Sequence, residues 1–123
     1  MKTGDSASLT RRFTPEDLRG FAALAGIDPV SLAAIPEPLI AALFSYLLGV
    51  RLPGPGTNYL KQELDYLCPA PLDAVLTATV TITRLRPDKH LCDLETVLAG
   101  EAGAMFARGR ALVLVKDVGS AAS

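Results

Sequence analysis

The sequence is poor in the residues from which metal centres and nucleic-acid surfaces are made. Two cysteines and one histidine stand in 123 residues. Cys68 and Cys92 form no CxxC pair and have no histidine at ligand spacing, so no metal site is expected. Charged residues are only 20% of the chain and sum to −1. Lys and Arg are scattered rather than gathered into a basic stripe with aromatics, which excludes the electrostatic footprint of a nucleic-acid binder. No apolar run approaches the roughly 20 residues that span a bilayer. Residues 1–6 carry no apolar signal region, so a cytoplasmic location without a membrane partner is expected. In that compartment both cysteines are expected to be reduced, buried strand residues rather than a disulfide.

What the chain has in quantity is apolar side chains, 50% of all residues. A single domain over residues 1–118 is expected, with a frayed tail at 119–123. So apolar a body predicts surface buried against another subunit. No internal repeat or low-complexity tract interrupts it.

Residues 5–13 alternate loosely and suit an edge strand with Ala7 and Leu9 on one side. Thr14, Pro15, Glu16 and Asp17 then supply an N-cap, a proline at the first helical position and acids in the first turn. Leu18, Phe21, Ala22 and Leu24 continue an amphipathic helix to Gly26. Residues 27–38 hold Pro29, Pro36 and Pro38 and read as a connection. The stretch 39–48, LIAALFSYLL, has no charge on any face, so a helix from about Pro38 to Leu48, ended by Gly49, must be enclosed by protein.

Pro53-Gly54-Pro55-Gly56 enforces a loop, and from Thr57 the period changes to two. Leu60, Gln62, Leu64 and Tyr66 fall on one face, and Lys61, Glu63 and Asp65 on the other. Leu76, Ala78, Val80 and Ile82 then alternate with Thr77, Thr79, Thr81 and Thr83. A type I turn at Arg86-Pro87-Asp88-Lys89 leads to a strand over 90–98, and a turn at 100–103 to a last strand over 104–115. An enclosed apolar helix followed by an antiparallel meander predicts an α+β domain, a sheet wrapped round a buried helix.

These residues resemble the MaoC-like branch of the hot-dog superfamily, which includes R-specific enoyl-CoA hydratases and related acyl dehydratases. The resemblance covers nearly the whole chain. It is carried by Gly4-Asp5-Ser6-Ala7-Ser8-Leu9, by Phe13-Thr14-Pro15-Glu16-Asp17 with Phe21-Ala22-Ala23-Leu24, by Leu43-Phe44-Ser45 to Leu48-Gly49, by LPGPGTNYLKQELDYLCP from Leu52, and by Arg108-Gly109-Arg110-Ala111-Leu112-Val113. It implies a hot-dog fold in which two subunits align their sheets edge to edge and build an acyl-thioester channel between them. The partners it implies are an acyl-CoA or acyl-carrier thioester and a second hot-dog subunit, identical or related. No cofactor is expected.

In the resembled family an Asp and a His of a D-x-N-P-x-H motif position and activate water, and a Gly amide of a later H-G pair, at the N-terminus of the central helix, receives the developing oxyanion. Here the first motif reads Gly26-Ile27-Asp28-Pro29-Val30-Ser31, placing Asp28 on the Asn position and Ser31 on the His. Counting back from Leu47-Leu48-Gly49, the H-G pair becomes Pro36-Glu37. A register shifted to make Asp28 the family Asp leaves Ala33 where the His should stand. Hydratase chemistry is therefore expected to be absent, and the chain to act as an acyl-thioester-binding or structural subunit. The alternative is an active acyl-CoA hydratase, dehydratase or thioesterase in which Glu37 or Asp28 acts as base or nucleophile; the favoured reading of Glu37 itself is an ordinary helix-start or solvated residue. His90 falls where the resembled family has no chemical role. Tyr59 and Gln62 match the family's Y-x-x-Q, and with Ser31 they are the substrate-binding candidates; an interior Gln62 amide requires partners, either main chain or a bound thioester.

Overall fold

The computed structural model describes residues 1–26 and 34–118, and the side chain of Ala25 lies outside what it describes. The opening strand β1 (Ser6–Arg11) is followed by helix α1 (Pro15–Ala25). Thr14 caps α1 by accepting from the Asp17 amide at 3.3 Å, while the Asp17 carboxylate accepts from the Thr14 amide at 2.8 Å. That donated amide, with lesser help from the Thr14 hydroxyl and Arg11, holds the Asp17 carboxyl below its ordinary value. Gly26 closes α1 in the left-handed region at φ 71°. Leu18 and Ala22 are buried, but Leu24 is 93% exposed. It was expected on the same stripe; six residues at 100° each carry it about 240° round from Leu18.

The central helix α2 (Glu37–Tyr46) continues without a break into a π-helical turn, Leu47–Arg51. Gly49, expected to end the helix, does not. Its backbone stays out of the positive-φ region, and the Leu52 amide reaches the Leu47 carbonyl at 2.8 Å, extending the turn. Then come β2 (Asn58–Tyr66), β3 (Leu76–Arg86), β4 (Leu91–Ala99) and β5 (Met105–Leu114). All pairings are antiparallel, in the order β1-β3-β4-β5-β2, so β1 and β2 are the sheet edges. The turn after β3 is a short 3₁₀ segment, Pro87–Lys89.

The threonine alternation of β3 is realised as expected: Leu76, Ala78, Val80 and Ile82 are buried, with the threonines between them on the opposite face. Ser8 and Thr10 of β1 meet Thr79 and Thr77 there through hydroxyl contacts of 3.1 and 3.3 Å. The inner face packs on Ile40, Leu43, Phe44, Leu47 and Leu48 of the helical segment, together with Leu94, Leu98, Ala107, Ala111 and Val113. Each large aliphatic or aromatic side chain so buried contributes roughly 1.5–3 kcal/mol. The enclosure of α2 is one-sided within the chain, because Ala42, Ser45 and Tyr46 remain exposed.

Two further expectations are corrected. Leu60 does not share the inner face with Gln62 and Leu64: the β2–β5 register slips between Tyr59 and Lys61, and the bulge leaves Leu60 54% exposed. Cys92 is buried in β4, but Cys68 is exposed, beyond the end of β2. Close packing of β2 depends on Gly109 of β5, where a Cβ atom would strike the Glu63 carbonyl oxygen and lie 2.9 Å from Leu64 Cα.

Candidate functional site

The helix α2 and the edge strand β2 run alongside each other in opposite directions, and the candidate residues lie along the seam between them. At one end Tyr66 Oη donates to the Glu37 carbonyl oxygen at 3.3 Å. At the other, Tyr59 is hydrogen-bonded to the Ser45 side chain. Gln62 sits between the two tyrosines on the same strand face. The period-two backbone of β2 thus turns Gln62, Leu64 and Tyr66 inward while Lys61, Glu63 and Asp65 stay outside. On that outer face Lys61 Nζ lies 3.0 Å and Arg110 Nε 3.3 Å from the Glu63 carboxylate. Their hydrogen bonds, Lys61's first, hold the Glu63 carboxyl below its usual value.

The seam is apolar enough to perturb both phenols. Burial raises the Tyr59 hydroxyl, partly offset by Ser45. Burial also raises Tyr66, and the negative charge of Glu37 adds to the effect. Both are therefore neutral donors at physiological pH. The Gln62 Nε2 is buried and has no hydrogen-bond partner among the described residues, as is true of the Thr96 hydroxyl on β4. A buried, unpaired amide is a costly feature unless something else satisfies it.

The Tyr66 end opens into a cleft of about 360 Å³ lined by Glu37, Ile40, Tyr66, Leu67, Cys68 and Ala70, among others. The helix start that faces it is poor in donors. Pro36 at the N-cap makes no side-chain hydrogen bond, Pro38 has no amide hydrogen, and the Leu39 and Ile40 amides are spent on the Pro36 carbonyl. The Cys68 thiol donates to the Met105 carbonyl at 3.5 Å. Cys92 is a poor nucleophile, its thiol pushed up to about 11 by burial and by the neighbouring Asp93 charge. A second cleft, of about 500 Å³, separates β1 from the open face of α2 and is lined by Leu9, Arg11, Phe13, Leu39 and Tyr46, among others.

Of the residues singled out from sequence, the structure gathers Glu37, Tyr59 and Gln62 along one seam, with Glu37 and Tyr59 at opposite ends. Asp28 and Ser31 lie outside the described residues, as do residues 119–123. Tyr66 and Cys68 were not among the site candidates drawn from the sequence. Tyr66 was accessible there, since it stands four places from Gln62 on the same strand face. His90 is exposed in the β3–β4 turn, with a left-handed backbone at φ 56°. Among the described residues no group of three or more His, Cys, Asp or Glu is placed to hold a metal, and no helix is long and apolar enough to cross a membrane.

A five-stranded antiparallel sheet in this order, packed on one central helix, defines an α+β protein of the hot-dog fold. No protein-family profile matches the chain. It is 36% identical to the (R)-specific enoyl-CoA hydratase of Aeromonas caviae over 126 residues, covering 92% of this chain and 94% of that one. It is 34% identical to the (R)-specific enoyl-CoA hydratase of Rhodospirillum rubrum over 128 residues, covering 94% and 88%. The solved (R)-hydratase of A. caviae involved in PHA biosynthesis superposes with a TM-score of 0.82 at 35% identity, over 92% of this chain and 96% of that structure. The chain belongs to the (R)-specific enoyl-CoA hydratase family, within the MaoC-like hot-dog proteins.

Proposed function

We propose that this chain binds an acyl thioester along the α2–β2 seam without hydrating it, as a binding or structural subunit paired edge to edge with another hot-dog subunit in the cytoplasm. The observation that carries the reading is the position of the one imidazole. His90 adjoins the Asn58 end of the sheet, because Asn58 pairs with Leu114 and Leu114 with Leu91. Glu37 adjoins the Tyr66 end. Eight residues of strand at roughly 3.3 Å each separate those ends by roughly 25 Å. General acid–base catalysis requires a group within hydrogen-bond reach of the reacting atom, and the imidazole has no such reach to the Glu37–Tyr66 end of the seam. The seam offers instead one unspent neutral donor, Gln62 Nε2, and phenol oxygens already held by Glu37 and Ser45, a polar set suited to a thioester carbonyl or the amides of its carrier arm.

Thermal shift with crotonyl-, octenoyl- and acetyl-CoA tests the binding. At a ligand concentration about 100 times Kd, native-state binding adds about 2.7 kcal/mol. With an unfolding entropy of about 0.26 kcal/mol/K for this length, the melting temperature rises by about 10 °C. No shift with any thioester overturns the proposal. So does conversion of crotonyl-CoA to the 3-hydroxy product at about 1 s⁻¹ or faster, the ordinary enzymatic range.

One observation favours a second reading, an enzyme built on Glu37: its residue lines the cleft with Tyr66 and Cys68, and its charge reaches the Tyr66 hydroxyl. Hydration or free-thiol release that Glu37→Gln abolishes supports this reading; activity that Glu37→Gln leaves intact removes Glu37.

A further inference from the structure

We propose that the cleft between β1 and the open face of α2 is a second ligand site, which takes a medium-chain fatty acid as its free carboxylate. The cleft holds about 500 Å³, within the range that small-molecule ligands fill. It lies apart from the α2–β2 seam. Ser45, which meets Tyr59 across the seam, stands two residues from Leu43 and so about 200° round the helix from it. Leu39, Leu43 and Tyr46 form a stripe on the other side of α2, the side that faces β1.

The walls are apolar and the rim carries one cation. The helix stripe supplies one wall, Leu9 and Phe13 the other. From Leu39 to Tyr46 the groove follows roughly 10 Å of helix axis, so it admits an aliphatic chain lengthwise. Arg11 stands on its β1 side, on the same strand face as Ala7 and Leu9. The Arg11 guanidinium lies over the buried Phe13 ring, 4.9 Å from the centroid, which holds its plane against the apolar wall. Among the described residues its one ion pair is with Asp17 Oδ1 at 3.7 Å, while Asp17 Oδ2 accepts from the Thr14 amide and hydroxyl. Donors therefore remain on an Arg11 side chain that is 48% exposed.

A cation at the edge of an apolar groove is complementary to an anion with an apolar tail. One guanidinium binds a carboxylate through two parallel bonds. A phosphate monoester, carrying about −1.5 to −2 at neutral pH, would find the same single cation and a stronger repulsion from Asp17, so the monoanion is favoured. Arg11 also points inward on an edge strand, as charges that protect such an edge do. That role needs no ligand, and binding measurements separate the two.

Titration calorimetry with octanoate, kept below its micelle-forming concentration, tests the site. Octanol supplies the tail without the charge, and butyrate the charge with little tail; each should bind more weakly than octanoate by roughly tenfold or more. Arg11→Met keeps the stem and removes the charge. It should weaken octanoate by roughly tenfold to a hundredfold, the range for a hydrogen bond to a charged group. Ala42→Phe fills the groove from an exposed position and should abolish binding. Circular dichroism verifies that both variants fold. Absence of octanoate binding overturns the proposal, as do equal affinities for octanoate and octanol, or wild-type affinity in either variant. Displacement of octanoate by octenoyl-CoA also overturns it, by placing the acid in the seam. A protein that binds octanoate in this pattern and shows no thermal shift with any thioester supports this site and counts only against the seam.

Discussion

Replacing Gly109 by alanine should loosen the strand that carries Tyr59, Gln62 and Tyr66. A methyl group there meets the Glu63 carbonyl oxygen head-on, with the Glu63 carbonyl carbon at 2.8 Å and Leu64 Cα at 2.9 Å. All three atoms are main chain, so no side-chain rotation relieves the contact. The strand itself must move away from β5, against the pairing that runs from Asn58–Leu114 to Tyr66–Ala107. Forcing a methyl into such a contact costs about 1–3 kcal/mol. At about 2.1 cal/mol/K per residue, 123 residues unfold with an entropy of about 0.26 kcal/mol/K, so the melting temperature should fall by about 4–12 °C. Gly20→Ala is the internal control. It lies in α1 with nothing within 4 Å of the added carbon, and helix propensity predicts a gain of about 1 kcal/mol, or about 4 °C upward. Differential scanning calorimetry reads both. A Gly109→Ala protein that melts with wild type refutes the close approach of β2 to β5.

Thr96 is fully buried and its hydroxyl is unpaired among the described residues, so Thr96→Val should raise stability by about 1 kcal/mol in a urea titration; a loss instead would mean the hydroxyl is bonded. The Asp17 carboxyl is held below its ordinary value by the Thr14 amide. A depressed carboxylate stabilises the native state above its unfolded value, and the contribution disappears as pH falls through the lower folded value. Wild type should therefore exceed Asp17→Asn in stability at about pH 6, with the gap closing toward about pH 3; a gap independent of pH removes the capping charge from the account. An aromatic disulfide reagent should titrate Cys68 at once in the native protein and reach Cys92 only after denaturation, since one thiol is exposed and the other buried with a raised pKa. Rapid reaction of both would contradict the core.

The strands were legible because the two sheet faces meet different surroundings, and β3 records that difference residue by residue in Leu76 to Thr83. The apolar run of α2 announced burial but not its open side, since a periodicity argument does not say which neighbour covers which face. The bulge at Leu60 depends on how β2 meets β5, a contact between residues some fifty positions apart. Cys68 was misplaced because residue type alone suggested burial. In the candidate site, Tyr59 and Gln62 were visible through the Y-x-x-Q string, and Glu37 through its place at a helix start. That Tyr66 and Cys68 join Glu37 in one cleft follows only from packing across 29 and more positions of chain.

The exposed turn holding His90 gives the chain a built-in spectroscopic landmark. One histidine in the sequence means one pair of imidazole proton resonances, assignable without mutagenesis. Its main chain is fastened to Val115 just beyond β5, through an amide contact of 2.8 Å. On the proposed reading those resonances should stay still when a thioester enters the Glu37–Tyr66 cleft at the far end of β2, and so serve as a fixed marker against which the Tyr66 signals are followed through a titration.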